Sequence, residues 1–155
     1  MVARKLRDVN NDLRKLFERD LVKLTAELKF FESEAALWST ANGVTNAAGN
    51  LVLHIVGNLN QYIGVKLGGT DFRRDRPAEF ASRDIPRDDL IAQLNATKTM
   101  LNAVLSKLDA AQLEQIYPED VLGHAMTTRY FLIHLYGHLN YHLGQVNYLR
   151  RVLHG

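Results

Sequence analysis

Large apolar residues recur at three- and four-residue steps through the first quarter of the chain. Leu13, Phe17, Leu21, Leu24, Leu28, Phe31 and Ala35 are separated by Lys, Arg, Asp and Glu. That is the period of one helix face, and it predicts a long amphipathic helix over 6–34. Leu37 and Trp38 extend the apolar face up to a break at Asn42-Gly43. A second helix is predicted over 47–66, with Asn46 as its N-cap and Gly68-Gly69 as its stop. Pro86 followed by Asp88 and Asp89 has the composition of a helix start, carboxylates in the first turn answering the helix dipole. The helix it opens carries Leu90, Leu94, Thr97, Leu101, Val104, Leu105 and Leu108. A connector over 109–118 has room for one extra turn. The last helix runs from Thr127 or Thr128, either of which can cap it, to Val152. Four long helices and no strand predict an all-α, up-down four-helix bundle in a single domain over 1–155.

Between the second and third helices the pattern breaks. Residues 66–89 hold twelve charged side chains and two of the three prolines. The stretch over about 67–86 therefore reads as a charged surface loop, its arginines engaged in local ion pairs. A lid that recognises an anionic substrate is the second reading of these arginines. A weak internal echo spans the chain at an offset of eighty residues. Leu53-His54-Ile55-Val56-Gly57-Asn58-Leu59-Asn60 matches Ile133-His134-Leu135-Tyr136-Gly137-His138-Leu139-Asn140, as two related helix pairs or chance likeness between apolar helices would produce.

Composition narrows the chemistry. The 155 residues contain no cysteine, which removes disulfides, thiolate ligands and cysteine nucleophiles. A net charge of +2 builds in no bias toward nucleic acid or anionic membrane. Residues 43–65 and 130–149 carry no formal charge and are long enough to span a bilayer. Their histidines and amides would be very costly facing lipid, so a soluble cytoplasmic protein is expected.

Those amides and imidazoles fall in stripes. At 100° per residue, His134, His138, His142 and Gln145 lie within about 80° of one another on the last helix. Asn50, His54, Asn58 and Gln61 share one stripe on the second. A solvent-facing stripe normally contains Lys, Glu or Arg, and neither of these does. A buried hydrogen-bond network is one explanation. A metal site is the other, because histidines four apart on a helix can reach one ion. Gly57, Gly64, Gly137 and Gly144, beside the stripes, point to close approach of helix backbones.

The segment Ala48-Gly49-Asn50-Leu51-Val52-Leu53-His54-Ile55-Val56-Gly57-Asn58-Leu59, with His138-Leu139-Asn140-Tyr141-His142-Leu143-Gly144-Gln145, resembles the DinB/YfiT-like superfamily of four-helix metalloenzymes. The resemblance covers essentially the whole chain. It implies a divalent metal held by His54, His138 and His142, and an imidazole-rich site accepts Zn, Ni, Fe or Mn according to geometry and supply. Better-studied relatives have Arg where this chain has Leu143, so any role of that arginine is absent or supplied elsewhere. His134, one turn from His138, is expected just behind the implied ligands or in the core, with a fourth ligand as the alternative. Asn50 and Asn58, also expected just behind the ligands, would hold a metal-bound water or an interhelical hydrogen bond. Gln145 is a candidate for holding a metal-bound water, and Glu34 is a weaker one for general base. His124 and His154 read as surface residues.

The resemblance further implies a transferase or isomerase in which the metal activates a low-molecular-weight thiol acting on a small-molecule substrate. With no cysteine in the chain, the thiol arrives as a cosubstrate. Metal-assisted hydrolysis and a non-catalytic metal-binding or structural bundle are the alternatives. A homodimer is implied by analogy, with the long first helix and Trp38 as its interface.

Overall fold

The computed structural model describes residues 2–154, with side chains described from Val9 onward. Four long helices form the bundle: α1 (Val2–Phe30), α2 (Ala48–Leu59), α4 (Arg87–Leu105) and α6 (Thr128–His154). Two short helices interrupt the connections, α3 (Arg76–Ala81) and α5 (Ala110–Glu114). Leu13, Phe17, Leu21, Leu24, Leu28 and Phe31 are all buried, as their spacing predicts. So are Leu90, Leu94, Thr97, Leu101, Val104 and Leu105 of α4. No helix among the described residues is long and apolar enough to cross a membrane.

Several boundaries differ from those expected. α1 ends at Phe30, and Ala35 opens a separate 3₁₀ turn, Ala35–Trp38, instead of continuing the apolar face. Trp38 packs its indole against Gly49, where any Cβ would collide with the ring. It is partly buried and packs against the core. α2 starts after Ala47, with no side-chain cap from Asn46. Beyond Leu59 the helix widens into a π segment, Asn60–Val65, and ends with Lys66–Gly68. Gly69 then stops it in the left-handed region at φ +65°, as the glycine pair predicts. The connector after α4 forms α5, closed by a reciprocal capping box of Asp109 and Gln112.

Side-chain pairs set the helix directions. Asn10 donates to Leu105 O, and Arg87 meets Glu34, so α1 and α4 are antiparallel. Asp20 accepts from Tyr136 and Asn140, while Glu27 meets Asn147 and Arg150, so α1 and α6 are parallel. α2 runs parallel to α4, with Asn60 on Thr97 and Gly68 on Val104. It runs antiparallel to α6, with Tyr62 on Phe131 and His54 on His138. The bundle is thus up, down, down, up, and α1 and α2 sit on opposite corners, each packed on α4 and α6.

This topology explains the charged segment. Two parallel neighbours joined in sequence need a connection that returns along the bundle's full length. Residues 69–86 make that return outside the core, and α3 packs on α2 in passing. The stretch expected as a solvated loop therefore places a helix over the face of α2 that carries His54.

Candidate metal centre

His138 and His142 lie one turn apart on α6, and His54 faces them from antiparallel α2. Their Nε2 atoms converge: His54 to His138 at 3.2 Å, and His142 to His138 at 3.1 Å. One ligand atom from each of the three lies within 4.8 Å of the other two. His54 is 8% exposed, and the α6 pair is intermediate.

The other ring nitrogens decide the protonation. His54 Nδ1 sits 2.9 Å from Glu79 Oε2, a carboxylate that only accepts, so Nδ1 holds the proton and donates it. His142 Nδ1 donates in the same way to Gln145 Oε1 at 2.7 Å. In the neutral rings both Nε2 atoms then bear lone pairs, and both point at His138 Nε2. That nitrogen carries at most one hydrogen, which cannot serve two acceptors well. At least one Nε2 lone pair is therefore left without a donor in the cluster. Burial, followed by the charges of His142, His54, His134 and Arg74, pushes the His138 imidazole down to about 4. Burial is also the main cause that lowers His142, against the opposing effect of the hydrogen bond it donates to Gln145. Neutral imidazoles with converging lone pairs are the donor set a divalent ion takes, so these residues fit the implied metal.

Glu79 is the residue that periodicity does not reveal. It is 6% exposed although it lies in the charged segment. Arg74 grips it through Nε to Oε1 at 2.7 Å and Nη2 to Oε2 at 3.0 Å. Burial alone would raise this carboxyl, but hydrogen bonds from His54 and Arg74 outweigh it and hold the group below its ordinary value. Gly57 makes the room, because a Cβ there would collide with the Glu79 carboxylate. The glycine accommodates a side chain from α3 and not a second helix backbone. Gly64 does lie near Thr70 and Met100, but Gly137 and Gly144 face open space. A sequence signal for α3 exists: Asp75 caps it by accepting from Ala78 N, and Pro77 sits in its first turn. Helical phase from that start places Glu79 in the same short helix, with Gly57 as the notch to receive it.

The remaining site residues separate. Asn50 is buried and donates through Nδ2 to Glu79 O and Ser82 O, both at 3.0 Å, which ties the end of α3 to α2. Asn58 is buried, and its Oδ1 has no partner among the described residues. Gln145 hydrogen-bonds His142 within α6. His134 is exposed and stacks on Phe131 at 5.8 Å without a hydrogen bond to the three histidines. Glu34 lies away from the cluster at the start of α4, where its carboxylate accepts from Arg87 N at 2.8 Å. Such a contact caps the start of a helix. His124 is exposed, as expected. His154 is not a free surface residue: its ring meets Phe31 at 5.6 Å, and its side chain is mostly covered.

No curated protein sequence matches the chain. Among solved structures, a DinB-like protein from Bacillus cereus ATCC 10987 is similar at 21% identity, covering 85% of this chain and 84% of that one, with a TM-score of 0.64. A conserved protein from Enterococcus faecalis is similar at 16% identity, covering 99% and 97%, with a TM-score of 0.61. These likenesses show a DinB-like fold. The profile of the family described as "Protein of unknown function (DUF1572)" matches residues 4–155, and the chain belongs to that family.

Proposed function

We propose that the chain is a divalent-metal-dependent enzyme whose ion is held by His54, His138 and His142, acting as a thiol S-transferase or isomerase on a small-molecule substrate. The observation that carries the metal is the convergence of three imidazole Nε2 atoms, His54 and His142 standing 3.2 Å and 3.1 Å from His138, with one ligand atom from each within 4.8 Å of the others. A bound divalent ion would supply Lewis acidity, lowering the pKa of a coordinated thiol so that it reacts as thiolate. The chain's own residues prepare the site for this. Glu79 takes the His54 Nδ1 hydrogen, which fixes the tautomer and aims Nε2 inward. Arg74 balances the Glu79 charge and keeps it an acceptor. Gln145 does the equivalent for His142 without adding charge. Three neutral ligands leave positions for exogenous groups, as a catalytic site requires. The thiol itself rests on the resemblance and on the absence of cysteine from the chain. We carry the homodimer and the cytoplasmic setting in the same reading.

The test is metal content of tag-free protein by mass spectrometry after loading with Zn²⁺, Ni²⁺ or Mn²⁺. About one equivalent per chain is expected, and less than about a tenth of an equivalent in every case sinks the reading. A panel of low-molecular-weight thiols with a chromogenic electrophile then separates the chemistries. A rate that needs both metal and thiol supports transfer, whereas a metal-dependent rate without thiol points to hydrolysis instead.

A further inference from the structure

We propose that the cavity beside the histidine cluster, between residues 41–46 and the C-terminal half of α6, is the subsite for an uncharged apolar group of the substrate, an aliphatic chain or a single aromatic ring. This rests on the metal-centre reading above and names the kind of molecule that the centre would act on.

The cavity measures about 500 Å³, within the roughly 300–1,000 Å³ of small-molecule sites. Its apolar lining comes from Val44, Leu51, Tyr148, Leu149 and Val152. No lining residue carries a formal charge. The only polar lining side chains are neutral, Asn42, Thr45, Asn46, Gln145 and the Tyr148 hydroxyl. An ionised group placed here would lose its water and find no counter-charge.

The cavity adjoins the cluster, with Leu51 and Gln145 on its lining. Leu51 lies three residues before His54 on α2, and Gln145 lies three residues after His142 on α6. Because the two helices are antiparallel, both steps lead the same way along the bundle, by about 4.5 Å. Gln145 stands between the two, since its carboxamide oxygen accepts the His142 Nδ1 hydrogen while the same side chain lines the cavity. Charge lies on another side of the cluster, where the Arg76 guanidinium sits 5.7 Å from the Phe80 ring and that ring 5.0 Å from His54. A ligand with its donor atom at the histidines can thus extend an apolar tail past Gln145 without meeting an ionised side chain of the lining.

Hydroxamates with one metal-binding head and different tails test this on zinc-loaded protein by calorimetry. Benzohydroxamate and octanohydroxamate are expected to bind at least tenfold tighter than acetohydroxamate. Val152→Arg and Val44→Asp put charge into the cavity at exposed positions and should reduce that preference to within twofold. Acetohydroxamate affinity and zinc content should not change. Val22→Arg, at a similarly exposed valine on α1, is the control and should keep the preference. Equal affinity for all three tails on protein that holds zinc overturns the subsite and leaves the metal reading standing. A second arm needs no metal: 4-(trifluoromethyl)benzyl alcohol should shift the methyl resonances of Val44, Leu51 and Val152 in metal-free protein. No shift there, or an undiminished one in Val152→Arg, overturns the subsite whatever the metal result. Shifts in a protein that takes up no metal overturn the link to a metal-bound head.

Discussion

The two sides of the histidine cluster are built differently. On the α2 side, His54 is buried and braced by a charged scaffold: Glu79 on its Nδ1, Arg74 on Glu79, and Asn50 holding the backbone of α3. On the α6 side, His138 and His142 are half-buried, and among the described residues the brace on the His142 Nδ1 is Gln145 from the same helix. The adjoining α6 face is open, with Gly137 and Gly144 meeting nothing and Tyr141 and Tyr148 at 64% and 70% exposure. His54 is held by an ion-paired scaffold from another helix, whereas the spacing of His138 and His142 comes from one turn of their own helix. In the proposed reading, the braced side would set where the ion sits, and the open side is where exogenous ligands would approach.

The most direct way to break this arrangement is to remove a ligand. Alanine at His54, His138 or His142 should lower metal affinity by more than the roughly 10–100-fold typical of outer partners, measured by competition with a chromophoric chelator. His134→Ala should leave it unchanged.

Glu79→Ala comes next, because it strips the brace from one side only. It leaves the Arg74 guanidinium buried without its partner, so chemical denaturation should show a loss of about 3–5 kcal/mol. Metal affinity should fall about 10–100-fold in protein that still folds, whereas Gln145→Ala, on the open side, should cost less. Equal effects of the two variants would refute the asymmetry.

Acidification sharpens the comparison through His138. Its pKa is about 4 in the folded protein against an ordinary 6.5, so the unfolded chain binds more protons between these values. The stability of metal-free protein should therefore fall as pH drops below about 6.5, with the His138 contribution fully lost below about 4. Half-burial and screening keep the loss well under the roughly 3 kcal/mol limit set by the shift. His138→Ala should flatten this window. Glu79 acts lower: its depressed pKa contributes stability present above the ordinary carboxyl value and lost as pH falls through the folded one.

The smallest effects come from the glycines. Gly57→Ala should destabilise by about 1–3 kcal/mol, because the new methyl collides with the Glu79 carboxylate. Gly137→Ala and Gly144→Ala meet open space inside a helix and should each stabilise by about 0.5–1 kcal/mol. Thermal melts of the three variants decide whether the echoed glycines share a role.

Much of this was legible in the sequence because helices repeat locally. Apolar residues at three- and four-residue steps identify the buried faces of α1 and α4, and His138 and His142 fall on one stripe because one turn separates them. The charged segment was less legible. Its composition suggests solvation, yet Arg74 and Glu79 neutralise each other and can be buried as a pair. Gly57 and Gly137 look alike in the internal echo, but only one has a side chain waiting in its notch.

Periodicity and composition by themselves determined a bundle of four long helices, an uncharged polar stripe on two of them, and a chain without a thiol of its own. Only the tertiary structure decided that α2 and α4 run parallel, that the connection must therefore return over α2, and that Glu79 consequently reaches His54. The reason is range. A helix face is set by neighbours within four residues, whereas the contact between His54 and Glu79 spans 25 residues of sequence and forms only once the helices have packed.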